Sequence, residues 1–164
     1  MGAAGIEMSL SDLARIPIEK LLLQRHEMLL IERVHDFGPS HVEVSTRVTQ
    51  NHPLVEDPRG MPAWVGIELM AQAISVFSAL ELRAQGLGPR IGLLLGARKF
   101  EARAPYFRVG AKLNVRATLA LRDATGLGVF ECTIREQETL LAQGQVKGYM
   151  PEDIDKFLRS AAHG

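Results

Sequence analysis

Residues 64–80 form an almost unbroken apolar run that carries a single carboxylate, Glu68. Ile67, Leu69, Met70 and Ala71 surround it, and Ala73, Ile74, Val76 and Phe77 continue the run. The pattern predicts a helix over 63–83, stopped by Gly86, Gly88 and Pro89. A helix apolar on nearly all sides must be buried on nearly all sides. As a membrane span, residues 64–80 are short and carry Glu68, Gln72, Ser75 and Ser78, so the run reads as a core helix.

The flanking segments supply the cover. Residues 41–48 alternate, with Val42, Val44, Thr46 and Val48 on one face and Glu43, Ser45 and Arg47 on the other. A strand over 28–34, ended by the turn chemistry of Asp36-Phe37-Gly38-Pro39, makes a hairpin with it. Further strands are expected at 91–103, 112–122, 128–135 and 140–149, the second placing Leu113, Val115, Ala117, Leu119 and Leu121 inward. Pro151-Glu152-Asp153 opens a short helix over about 151–160, with proline at its first position. Residues 1–17 are a polar lead with a short helical turn from Ser11. Two strands, one long helix and four strands give an α+β chain whose antiparallel sheet wraps the helix. One sheet covers one side, so a second copy on the other side, a homodimer, is expected. At 164 residues the chain reads as one domain, 1–164.

Bulk numbers narrow the function. A formal net charge of zero with 46% hydrophobic residues is ordinary for a globular protein and gives no basis for nucleic-acid binding. The lone Cys132 has no partner in its own chain and reads as a buried, reduced thiol, which fits a cytoplasmic setting. The opening lacks a basic region followed by an apolar one, so no secretory signal is expected. Met1-Gly2 resembles a myristoylation start except that Ile6 stands where Ser or Thr is required.

Two residues stand out chemically. A carboxylate in an apolar helix loses hydration and must find a partner, and desolvation favours its neutral form, the property wanted in a general acid. His52, in a loop over 50–62 that holds three prolines and Gly60, supplies the complementary base. Each also has a plainer role, His52 as a solvated turn residue and Glu68 as a structural carboxylate. Gln72 lies one turn beyond Glu68 on the same face, placed to buttress it. Trp64 is a candidate tunnel wall or simply core. His26, His35, His41 and His163 show no ligand spacing, and no metal is assigned. Arg90, Arg98, Lys99, Arg103, Arg108, Lys112 and Arg116 are opposed locally by Glu101 alone, a basic excess suited to an acidic partner or a phosphate. Arg98 and Lys99, as strand neighbours, fall on opposite faces.

From residue 18 to 149 the chain resembles the hotdog-fold 3-hydroxyacyl-acyl-carrier-protein dehydratases. Leu21-Leu22-Leu23-Gln24-Arg25-His26-Glu27-Met28-Leu29-Leu30-Ile31-Glu32-Arg33-Val34 resembles the family's opening L-L-P-H-R-Y-P-F-L-L-V-D-R-V. Met61-Pro62, leading to Glu68-Leu69-Met70-Ala71-Gln72, resembles M-P-G-V-L-I-I-E-A-M-A-Q, and His52-Pro53-Leu54 stands where the family's G-H-F-P is expected. Lys99-Phe100, Pro105, Gly110 and Leu113 resemble a later K-F and P-G-D-x-L segment. The wording around Glu68 is similar to the branch associated with aryl-polyene-type lipid pathways. Three departures stand out: the separation of His52 from Glu68 is about two residues longer, Asn51 replaces a glycine, and so does Ala63.

The resemblance implies a hotdog fold and removal of water from 3-hydroxyacyl thioesters on acyl carrier protein. His52 and Glu68 are then the catalytic pair, contributed by different protomers of a dimer. The Ala63 N–H is the donor to the thioester carbonyl, and Pro62, Trp64 and Gln72 surround the substrate. Arg98, Lys99, Arg103 and Arg108 would meet the carrier protein. No cofactor is expected beyond the carrier's phosphopantetheine arm. Two other readings stay open: an acyl-thioester hydrolase with Glu68 activating water, and a non-catalytic acyl-binding subunit or partner in a hotdog heterodimer.

Overall fold

The computed structural model describes residues 8–163; the Met1-Gly2 opening and Ile6 lie outside them. Helix α1 (Leu10–Arg15) is capped by Ser9, whose side chain accepts from the Asp12 N–H, so it starts before Ser11. Strands β1 (Arg33–Gly38) and β2 (His41–Arg47) form the first hairpin, and a two-residue strand β3 (Met61–Pro62) leads into α2 (Val65–Ala84). Then follow β4 (Leu93–Ala102), β5 (Tyr106–Phe107), β6 (Lys112–Arg122), β7 (Leu127–Glu136), β8 (Thr139–Tyr149) and α3 (Ile154–Ala161).

Six strands make one antiparallel sheet in the order β1-β2-β6-β7-β8-β4, and β3 pairs with β5 apart from it. Register explains the core. Val34, Val44, Val115, Ile134, Ala142 and Ala102 stand opposite one another across all six strands. Phe37, Val42, Ala117, Cys132 and Gly144 form a second row. α2 lies over these rows with Leu69, Met70, Ala73, Val76, Phe77 and Leu80 buried. It is the one helix among the described residues long and apolar enough to cross a membrane, and most of it is buried as core. The opposite sheet face is polar: Arg116 pairs with Glu43, Gln143 with Glu101 and Gln145 with Glu131.

The helix stop falls where expected. Gly86 takes φ +75, and the N–H groups of Gly86 and Leu87 return to the carbonyls of Arg83 and Leu82. Three expectations need correction. The strand expected at 28–34 lies at Arg33–Gly38, because residues 26–28 form a 3₁₀ turn, and the apolar Leu30 and Ile31 are buried without strand pairing. The hairpin turn is therefore at Pro39-Ser40. The last helix starts at Ile154 and not at Pro151, since Asp153 caps it by accepting from the Lys156 N–H at 3.0 Å.

Candidate active site

Glu68 sits in the first turn of α2, where the helix dipole favours negative charge. It is half-buried on the least covered stripe of the helix and not enclosed by core. Gln72, four residues on and fully buried, donates to Glu68 Oε1 at 2.8 Å. Its Nε2 also donates to the Met28 carbonyl at 2.7 Å, and its Oε1 accepts the Leu30 N–H at 3.0 Å. One glutamine thus satisfies the backbone of an apolar segment that forms no ladder, and aims a carboxylate as well. That double duty explains why the run 28–31 can be buried without becoming a strand.

His52 projects from a turn closed by its own carbonyl, which accepts the Val55 N–H at 2.9 Å. The Leu54 N–H reaches His52 Nδ1 at 3.1 Å, and His52 Nε2 lies 3.0 Å from the Glu27 carbonyl. His52 and Gln72 therefore grip neighbouring carbonyls of one segment, those of Glu27 and Met28. The extra loop residues are pinned by paired backbone bonds between Glu56 and Gly60 at 2.8 and 3.0 Å. Tyr106 Oη donates to Glu56 and accepts from Arg59, both at 3.1 Å. Gly60 has φ +113, and a Cβ there would come within 2.2 Å of the Phe107 carbonyl oxygen, so this close approach requires glycine.

The helix entry departs from expectation. Pro62 is buried in β3 opposite Tyr106, and the Ala63 N–H is already bonded to the Pro105 carbonyl at 2.9 Å. The donor that the resemblance assigns to Ala63 is consumed by the β3–β5 ladder. Among the described residues the N–H groups of Trp64 and Val65 have no partner, so the open donors lie one position further on. The Trp64 side chain is 61% exposed beside them and is not core.

A groove of about 280 Å³ runs along α2 from Glu68, past Ala71, Ser75 and Ser78, facing Leu93 and Phe130. Its far end carries Glu81, bonded by both carboxylate oxygens to Arg122 at 3.1 and 2.6 Å. Of the residues singled out in the sequence, Glu68 and Arg90 line this groove, whereas His52, Pro62, Ala63, Trp64 and Gln72 do not. Within one protomer the structure thus links His52 to Glu68 through the 27–30 segment and does not open them to one cavity. Sequence reading missed the groove floor, although small residues at 71, 75 and 78 keep helical spacing with Glu68.

The basic segment is only partly free. Arg108 is paired with Glu136, and Arg116 with Glu43. Arg98, Lys99 and Arg103 are exposed without a carboxylate partner among the described residues. The strict alternation of Arg98 and Lys99 does not hold. Lys99 takes φ +52, and the β4–β8 register slips between Arg98 and Glu101, which marks a bulge. Cys132 is buried, and desolvation pushes its thiol up to about 12, too high for a nucleophile.

Residues 16–159 match the profile of the family described as ApeP-like, ApeP dehydratase. The chain is 30% identical over 95 residues to the 3-hydroxyacyl-[acyl-carrier-protein] dehydratase FabZ of Anaeromyxobacter sp. (strain K). That match takes in 55% of this chain and 61% of the relative, so less than two thirds of the relative's length is spanned. Among solved structures the chain is similar to the dehydratase heterocomplex ApeI:P from Xenorhabdus doucetiae, at TM-score 0.80 and 28% identity. The likeness covers 87% of this chain and 96% of that one, and the fold is the hotdog fold. A hypothetical thioesterase with coenzyme A from Streptococcus pneumoniae TIGR4 shares the fold alone, at TM-score 0.55 and 16% identity over 72% and 84% of the two chains.

Proposed function

Because this chain belongs to the ApeP-like dehydratase family, we propose that it removes water from 3-hydroxyacyl thioesters held on acyl carrier protein. The observation that carries the reading is Glu68, held by Gln72 at the head of a groove along α2. In the reaction the Cα–H and Cβ–O bonds break, the Cα–Cβ double bond forms and water leaves. His52 of one protomer takes the α proton, and Glu68 of the other protonates the departing hydroxyl. The Trp64 N–H, at the positive end of α2, takes the donor role toward the thioester oxygen that Ala63 cannot fill. The acyl chain follows Ala71, Ser75 and Ser78 along the groove, while Arg98, Lys99 and Arg103 meet the carrier protein. The chemistry asks for no cofactor beyond the carrier's own arm, and the setting is cytoplasmic.

The likeness to a dehydratase heterocomplex supports a second reading, in which this chain acts as one subunit of a hotdog heterodimer. The test supplies a short 3-hydroxyacyl thioester and follows enoyl product and free thiol together, for wild type and His52→Ala. Enoyl formation that falls about 10²–10⁴-fold in the variant, with no thiol release, is the expected result. Thiol release in the wild type would make the chain a hydrolase. Wild type inert until mixed with a hotdog paralogue would select the heterodimer.

A further inference from the structure

A neutral imidazole has one N–H and one lone pair, and both are engaged at His52. A backbone N–H can only donate, so Nδ1 receives the Leu54 bond through its lone pair. A carbonyl can only accept, so Nε2 carries the proton and gives it to Glu27. No lone pair of the ring is left to take a proton from a substrate carbon. We infer that the resting protomer latches His52 in its Nε2–H tautomer, and that Gln72 is the positioning residue that sets the latch through the 27–30 segment.

The two holds on the ring differ in kind. Leu54 is two residues away in the same closed turn, so that bond is local and moves with the histidine. Glu27 is 25 residues distant, in a 3₁₀ turn whose residues His26, Glu27 and Met28 are all exposed. His26 holds φ +55, a region that non-glycine residues seldom occupy. This is the side that yields: once the Glu27 carbonyl lets go, Nε2 gives its proton to solvent, Nδ1 takes one and gives up the Leu54 bond, and the Nε2 lone pair becomes free to act as the base. What keeps it in place is Gln72, bonded to the Met28 carbonyl and the Leu30 N–H on either side of Leu29. The same amide group donates to Glu68, so a substrate hydroxyl that draws Glu68 away disturbs the anchor of the latch. Glu68 and the histidine of the same chain are thereby coupled, although the proposed reaction uses them in different sites. The inference rests on the dehydratase reading for its purpose, but the tautomer does not depend on it.

The test is heteronuclear NMR of the imidazole nitrogens in the whole, substrate-free protein, with His52→Ala identifying the signals. The expected spectrum has a bare Nδ1, a protonated Nε2 and a Leu54 amide protected from exchange. In Gln72→Met, a variant of similar volume, the Nε2 proton should lose its fixed partner, the ring should populate both tautomers and the Leu54 amide should exchange faster. Gln72→Glu, which keeps the acceptor but loses the donor toward Met28, replaces it if Gln72→Met does not fold. A protonated Nδ1 in the wild type would overturn the latch. A ring unchanged by either substitution would overturn the role of Gln72. An intact latch in a protein that forms no enoyl product, alone or mixed with a hotdog paralogue, would sink the dehydratase reading and leave this one standing.

Discussion

The two sides of α2 are built to different rules. On the side toward the sheet, Val65, Leu69, Met70, Val76, Phe77 and Leu80 are fully buried. There the fit is tight: a Cβ on Gly66 would meet Ile134 Cδ1 at 3.0 Å and the rings of Phe100 and Phe107 at 3.3 Å. On the other side, Trp64, Ile67, Glu68, Ala71, Ser75, Ser78 and Glu81 form a stripe that stays half-covered or open. This stripe holds the carboxylate, the small residues and the groove. A helix can bury one face for stability and keep the other for chemistry, and here the expected burial on all sides holds on one side only. In the proposed assembly a second hotdog protomer covers the stripe, with the β4 edge alongside, where Leu94 and Leu95 are exposed.

Substitutions on the two faces separate these rules. Phe77→Ala empties the centre of a cluster in which its ring lies 5.7 Å from those of both Phe37 and Phe130. It should cost about 3–5 kcal/mol of stability, read by denaturant titration. Arg122→Ala breaks the pair with Glu81 at the end of the groove, but the two side chains are 42% and 24% exposed, so a loss of only about 0–1 kcal/mol is expected. Ser75→Ala gives up one hydroxyl bond to the Ala71 carbonyl and should change the denaturation midpoint by less than about 0.5 kcal/mol equivalent. A large loss of stability at Ser75, or a small one at Phe77, would break the contrast between the faces.

Legibility followed the same division. The alternation at 112–122 placed the bounds of β6 to the residue and put Leu113, Val115 and Ala117 in the core. Leu121, expected inward, is instead 60% exposed because the β6–β7 register slips between Leu119 and Leu121. The strand expected at 28–34 was misplaced because the polar atoms of that segment are satisfied by a side chain 42 residues away. No local window carries that signal. At the site, the spacing of Glu68 and Gln72 on one helical face was readable and their bond is formed. The capture of the Ala63 N–H by Pro105 and of His52 by Glu27 depends on contacts distant in sequence, and neither was readable. The bulge at Lys99 was hidden for a related reason, since register belongs to a pair of strands and not to one.

The most direct test of the account is Glu68→Gln, measured for enoyl formation and for thermal midpoint in the same preparation. Glutamine keeps an oxygen to accept from Gln72 and replaces the other with an amide NH2 that neither titrates nor carries charge. Enoyl formation should fall about 10²–10⁴-fold while stability stays within about 0.5 kcal/mol of wild type. Full activity in the variant, or a loss of activity that tracks unfolding, would contradict a chemical role for this face of the helix.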